Sequence, residues 1–256
     1  MPTILAIETS SELASCALLH QGVLTSHESS GVRTHSQAIL PMVQALLGEA
    51  GLALADCDAL AYGVGPGSFT GVRTATGIIQ GLGFGASLPV LPVVTLLAMA
   101  EACRAVSGAD EVLALLDARM GEVYWARYRK EGEGAGAGAG AGTAGWRIVD
   151  APTLAAPTAV PAFGAATACG NGLMAYPAAF AEQVASVGDR VVADIMPHAR
   201  AVAVLAAIDF AAGRAIPADQ AQPLYLRNKI AFTSAERLVI NADKAAALNH
   251  AASAAP

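Results

Sequence analysis

Histidine is scarce in this 256-residue sequence: there are five, at positions 20, 27, 35, 198 and 250. No two stand three to five residues apart, so no helical face carries the paired imidazoles of an HExxH or HxxxH metal site. Cysteine is scarcer still. Cys16, Cys57, Cys103 and Cys169 lie far apart without a CxxC pair, and read as small buried hydrophobes rather than zinc ligands or disulfides. No G-x-S-x-G elbow occurs, which disfavours a serine hydrolase. Charged residues make up 14% of the chain and aromatic residues 5%. The 15 basic and 21 acidic side chains give a net charge of −6, and no three basic residues are consecutive. A protein that grips nucleic acid unaided needs a basic, phosphate-neutralising surface. If this chain works on RNA, another component must do the gripping. Long apolar runs are also lacking. The best windows, 88–100 and 201–208, are short or broken by Pro89, Pro92 and Asp209. The first apolar run has no basic leader and is interrupted by Glu8. Neither a membrane span nor a signal peptide is expected, and a cytoplasmic protein is.

Alanine, in contrast, is abundant, with 59 residues beside 26 glycines. The 54% hydrophobic fraction therefore overstates the core, although the larger apolar side chains suffice for one or two. At about 150 residues per domain, the length allows one to two domains.

Hydrophobic periodicity suggests an internal repeat. Residues 3–8, 13–19 and 22–28 read as a three-stranded antiparallel meander. A helix follows over 34–50, with Ile39, Met42, Val43, Leu46, Leu47 and Ala50 on one face. Thr34 and Gln37 form a capping box at its start. A strand at 58–65, a helix at 70–85, a strand at 89–93 and a helix at 95–106 complete βββαβαβα. A second, weaker instance then begins, with strands at 111–117, 121–129 and 146–150. It continues with a strand at 166–170, a helix at 175–184, a strand at 190–193 and a helix at 197–213, where Pro197 suits a first turn. The expected architecture is α/β with two repeated βββαβα units. The expected domains are a first lobe over 1–98, a second over 99–196, a C-terminal helix and extension over 197–230 packing back on the first lobe, and a poorly ordered tail over 231–256. The glycine–alanine alternation within 131–145 has almost no side chain to bury and reads as a flexible hairpin tip.

Three segments are candidates for chemistry or binding. Glu8-Thr9-Ser10, at the end of the first strand, is a carboxylate followed by small hydroxyl residues, a pattern whose backbone amides can approach a nucleotide phosphate. A plain strand-ending turn explains it as well. Gly63-Val64-Gly65-Pro66-Gly67-Ser68-Phe69-Thr70-Gly71 links a strand to a helix N-terminus, where free amides favour an anion. It is neither a Walker A sequence nor G-x-G-x-x-G, and a tight turn is the rival explanation. Gly77, Gly81 and Gly85 form a side-chain-free stripe along the following helix. Each interior glycine costs roughly 1 kcal/mol relative to alanine. The stripe therefore serves close approach, either of the protein's own elements or of a partner's helix.

Five segments, ILAIETS, THSQAILPMV, GPGSFTGVRTATG, LLDARMGEVYWARY and PLYLRN, run in that order from residue 3 to 228 and together resemble the bacterial TsaB (YeaZ) family. The sequence departs from the family pattern in its glycine–alanine insertion, its alanine-rich tail and a glutamate rather than aspartate at Glu8. The resemblance implies the ASKHA (actin/Hsp70-like) fold, built of two RNase H-like lobes. It also implies a part in making N6-threonylcarbamoyladenosine in tRNA. There the chain would be no enzyme by itself but the non-catalytic scaffold of the transferase complex. It would dimerise with the metal-bearing catalytic paralogue TsaD, act with the ATPase TsaE, and meet tRNA only through the complex. A homodimer is expected when TsaD is absent. No metal and no tightly bound cofactor are expected, with ATP or ADP a ligand only within the complex. The family pairs through the helices expected at 34–50 and 70–85. Leu40, Val43, Leu47, Thr74, Gly77, Ile78 and Gly81 are the interface candidates, and Val43→Glu is expected to abolish pairing without unfolding the lobe. The rival readings are an ATP-dependent small-molecule kinase of the same superfamily and, weakest, a glycoprotease-like M22 peptidase.

Overall fold

Ile4–Glu8 (β1) is an unbroken run of side chains buried on both faces, the pattern of a strand at the centre of a covered sheet. In the computed structural model, which describes residues 1–30, 35–131 and 145–227, β1 is the middle of five strands. It pairs antiparallel with Ala14–His20 (β2), which pairs antiparallel with Val23–Ser29 (β3). On its other side Ala59–Gly65 (β4) runs parallel to it, and Val90–Val94 (β5) runs parallel to β4. Pro92, which lacks an N–H, is tolerated because β5 is the outer strand of this order. The helices of this half are His35–Glu49 (α1) and Phe69–Ala86 (α2), and Thr95–Ser107 (α3) leaves β5 directly.

The pattern then repeats. Glu111–Asp117 (β6), Val123–Lys130 (β7) and Trp146–Ala155 (β8) form an antiparallel meander. Thr167–Cys169 (β9) joins β6 in parallel, and Val191–Val192 (β10) joins β9 in parallel. The two sheets have strand orders β3-β2-β1-β4-β5 and β8-β7-β6-β9-β10, the same topology strand for strand. This is the duplicated α/β architecture expected from the sequence, with two RNase H-like sheets of the ASKHA fold.

Alternation along the central strands explains the layering. Leu5 and Ile7 of β1 point toward α1 and α2, while Ile4 and Ala6 point toward α3 and Ala199–Ala211 (α6). In β6, Val112, Ala114 and Leu116 face the same α3–α6 layer from the other side. Leu113 and Leu115 face Phe163 and Phe180 in a third cluster. The α3–α6 layer is rich in alanine, with Ala98, Ala100, Ala199, Ala201, Ala203 and Ala206 all buried. Small side chains let two helices fit between two sheets at close packing, which accounts for part of the alanine excess.

Several boundaries differ from the sequence reading. The helix expected over 175–184 is two, Gly172–Ala175 (α4) and Pro177–Val187 (α5), because Pro177 cannot donate to the preceding turn and restarts the helix at its own first position. Strand β8 extends to Ala155, since register shifts near Trp125 and Arg127 let it follow the whole of β7. Pro197 precedes α6 rather than opening it. His198 is the N-cap, and its side chain accepts from the Arg200 N–H. The Thr34 capping box, most of the glycine–alanine segment and the tail beyond residue 227 lie outside the described residues. Met1–Leu226 forms one compact unit. No helix among the described residues is long and apolar enough to cross a membrane.

Candidate functional site

The glycine-rich segment and the Glu8 turn prove to be one construction. Glu8, Thr9 and Ser10 are all buried, and the loop from β4 into α2 packs directly on them. The Ser68 N–H donates to the Ser10 carbonyl at 2.6 Å, and the Thr9 hydroxyl donates to the Gly71 carbonyl at 2.7 Å. A methyl group on Gly63 would fall inside the Glu8 carboxylate, one on Gly67 against Ser10, and one on Gly71 against the Thr9 carbonyl. Gly65, at φ +106°, would meet the Leu224 carbonyl. These glycines are thus required by close approach of the protein's own backbone.

That packing changes the meaning of the Glu8 turn. The Ser10 N–H, the group a phosphate would use, donates to Glu8 Oε1. Thr95 Oγ1 lies 3.4 Å from both Glu8 Oε2 and Ser10 Oγ, and the Gly65 N–H donates to it. Burial pushes the Glu8 carboxyl above its ordinary value of 4.5, against hydrogen bonds from Ser10, Thr95 and Thr9 that pull it down. The α2 N-terminus faces the Ser10 carbonyl and is capped by Ser68, whose side chain accepts from the Gly71 N–H. Glu8, Thr9 and Ser10 therefore form a closed internal network. A nucleotide would have to displace Glu8 from Ser10 before it could use this turn. Sequence reading missed Thr95, because nothing in its local context marks it as a partner of Glu8, 87 residues away.

The interface candidates divide into two groups. Val43 and Leu47 are 3% and 7% exposed, in the core beneath α1 with Leu5, Ile7 and Leu60. They hold α1 on the sheet and cannot centre an exposed patch, so the expectation that Val43→Glu would spare the fold is corrected. Leu40, 43% exposed, lies on the outer side of α1. On α2, Thr74 and Ile78 are half-buried and Gly77 and Gly81 exposed. A methyl group on Gly77, Gly81 or Gly85 would meet none of the described residues within 4 Å, unlike one on Gly71 or Gly83. The stripe therefore does not serve α2's packing on its own sheet or on α1. Next to its last member stands Phe84, 83% exposed.

The C-terminal strap completes this half. Ile216 bridges Val90, Gln80 Nε2 donates to the Ala221 carbonyl, and the Leu224 N–H donates to the Val64 carbonyl at 2.7 Å. Tyr225 reaches α2, where Arg73 Nε donates to its hydroxyl and the Arg73 guanidinium lies 3.7 Å from the Phe69 ring centroid. GPGSFTGVR and PLYLR, far apart in sequence, are thus packed against each other.

The family model described as TsaD, tRNA N6-adenosine threonylcarbamoyltransferase, matches residues 23–235. The tRNA threonylcarbamoyladenosine biosynthesis protein TsaB of Escherichia coli K12 is 41% identical over 234 residues, 90% of this chain and 96% of its own length. Its counterpart from Haemophilus influenzae is 38% identical over 233 residues, 90% of this chain and 95% of its own. Among solved structures, YeaZ from Pseudomonas aeruginosa superposes with a TM-score of 0.73 at 38% identity, covering 88% of this chain and all of that one. With most of its length aligned at this identity, its motifs in order and its duplicated sheet shared with YeaZ, the chain belongs to the TsaB (YeaZ) family.

Proposed function

We propose that this chain is the non-catalytic scaffold of a tRNA threonylcarbamoyl transferase complex, pairing with a TsaD-type catalytic paralogue through the outer face of α1 and α2. Membership of the TsaB family carries the role in tRNA threonylcarbamoyladenosine biosynthesis. The finer assignment, a TsaD-type partner that holds the metal, a TsaE-type ATPase and tRNA bound only by the assembly, follows the family resemblance. Cytoplasmic placement follows from that tRNA role. ATP or ADP belongs to the complex in this reading, and the closed Glu8 turn is consistent with that.

One observation supports the choice of face: Gly77, Gly81 and Gly85 leave open space along α2 that none of the described residues fills. Three interior glycines destabilise the lone helix by roughly 1 kcal/mol each, and the stripe lets another helix's backbone come close. Leu40 adds an exposed apolar side chain on α1. The same face, left uncovered, suits a homodimer in the partner's absence.

The test is co-expression with the TsaD-type protein of the same cell, with the mass measured by light scattering. A one-to-one complex that supports tRNA threonylcarbamoylation is expected, and Gly81→Leu is expected to abolish it while the variant stays folded. A complex indifferent to Gly81→Leu would move the interface elsewhere. Failure to associate, with ATP turnover by the isolated chain, would replace the scaffold reading with the kinase reading.

A further inference from the structure

Helices α1 and α2 are almost free of charge. Besides His35, the only ionisable side chain in α1 is Glu49, and the only one in α2 is Arg73. Helices on the surface of a globular protein ordinarily keep charged residues on their outer side, and depletion of charge marks the centre of an interface. Glu49 has a partner, His27 Nε2 at 3.0 Å. Arg73 is exposed and makes no ion pair among the described residues. It is nevertheless held in place. Its Nε donates to the Tyr225 hydroxyl at 2.6 Å, and its Cζ lies 3.7 Å from the Phe69 ring centroid and 5.6 Å from that of Tyr225.

Those contacts use one N–H and one face of the guanidinium. The terminal nitrogens Nη1 and Nη2 donate to no acceptor among the described residues. A planar fork fixed in this way matches a carboxylate bidentately, and it is ordered before a partner arrives. Its place on α2 gives it a use. Exposed residues of α2 include Thr70, Arg73, Gly77, Gly81 and Phe84, which recur at helical spacing along one side. Arg73 thus stands one turn before Gly77. A helix lying close over Gly77 and Gly81 would also cover Arg73 and strip water from a group that stays ionised. That cost is offset only if the covering surface brings an opposite charge.

On the reading that α1 and α2 form the pairing face, we propose that the partner's helix places an Asp or Glu carboxylate on Nη1 and Nη2 of Arg73. This contact fixes the register of that helix on α2. A second copy of the chain offers no such group from the same two helices, because their one carboxylate is Glu49, already engaged by His27. The fork therefore favours the TsaD-type paralogue over self-association. An RNA phosphate could accept from the same fork. However, phosphate affinity is built from several cations acting together, and α1 and α2 supply no second Arg or Lys.

The test is calorimetric titration of the full chain with the TsaD-type protein of the same cell, at low and high salt. Arg73→Ala is expected to weaken the complex at least about 30-fold and to remove most of its salt dependence. Arg73→Lys keeps the charge but not the fork, and is expected to recover only part of the loss. Self-association of the isolated chain, measured by sedimentation, is expected not to fall in Arg73→Ala, and circular dichroism checks that both variants are folded. A complex that Arg73→Ala leaves intact would overturn this inference alone, since Gly81→Leu reports on the face separately. Arg73→Lys binding as tightly as the wild type would reduce the fork to a point charge and overturn it as well. A shift of tRNA mobility by the isolated chain that Arg73→Ala abolishes would give the fork to phosphate instead. No association of the wild type would remove the pairing face, and this inference with it.

Discussion

Arg73 Nε donates to the Tyr225 hydroxyl at 2.6 Å, joining two residues 152 positions apart in the chain. The same guanidinium lies over Phe69, and the Phe69 and Tyr225 rings are 5.7 Å apart. The cluster fastens the C-terminal strap to the first turn of α2. In a double-mutant cycle of Arg73→Ala and Tyr225→Ala, urea unfolding should give a coupling energy of about 0.5–1 kcal/mol, as for an exposed cation–π pair. Strict additivity would mean that the contact does not stabilise the strap.

The glycines of α2 should behave in two opposite ways. Gly71→Ala drives a methyl group into the Thr9 carbonyl. It should destabilise by about 3 kcal/mol or more, because backbone cannot move aside cheaply. Gly77→Ala and Gly81→Ala enter open space and should each stabilise the isolated chain by up to about 1 kcal/mol. Thermal unfolding of the three variants checks this, and equal losses at all three positions would contradict the packing described above.

Charges on the two sides of α1 should separate folding from pairing. Val43→Glu places a carboxylate in the core and should unfold the sheet–helix packing. Leu40→Glu lies on the outer side and should leave circular dichroism and the unfolding midpoint nearly unchanged while weakening association. If Val43→Glu folds normally, α1 packs differently from the structure.

His198 makes α6 sensitive to acid. Its Nδ1 accepts from the Arg200 N–H at 3.0 Å, which leaves the proton on Nε2, 3.1 Å from Glu28 Oε2. Burial lowers its pKa from 6.5, against the opposing pull of Glu28. The native state therefore binds fewer protons than the unfolded state in this range. The contribution is present above about 6.5 and is lost as the pH falls through the lowered native value. His198→Asn keeps a capping acceptor without the titration. Wild type should lose stability relative to this variant as the pH falls below about 6.5, and a constant difference would exclude the cap as the cause.

Glu8 has the opposite sign. With its native pKa raised by burial, its stabilising contribution is complete below about 4.5 and is lost as the pH rises through the native value. Relative to Glu8→Gln, the wild type should become less stable as the pH rises above about 4.5, measured by denaturant unfolding at several values. A pH-independent difference would mean that the carboxyl is not desolvated as its burial indicates.

The strands and helices were legible because their signals are local. The buried run Ile4–Glu8, the spacing of Ile39, Val43, Leu46 and Leu47, and the second meander beginning at Glu111 each reveal periodicity without reference to the rest of the chain. Ordered motifs carried the family for the same reason. The sequence by itself thus determined a duplicated α/β fold and TsaB membership. Only the tertiary structure decided what the marked residues do. Periodicity shows that a helix has an apolar stripe but not which neighbour covers it, so Val43 and Leu47 could be sorted from Leu40 only once α1 lay on β2 and β3. Spacing shows that glycine is frequent but not what approaches it. Gly71 meets the Thr9 carbonyl and Gly77 meets none of the described residues, although both lie in one helix. Contacts between Glu8 and Thr95, or Arg73 and Tyr225, depend on distances across the chain that no local pattern encodes.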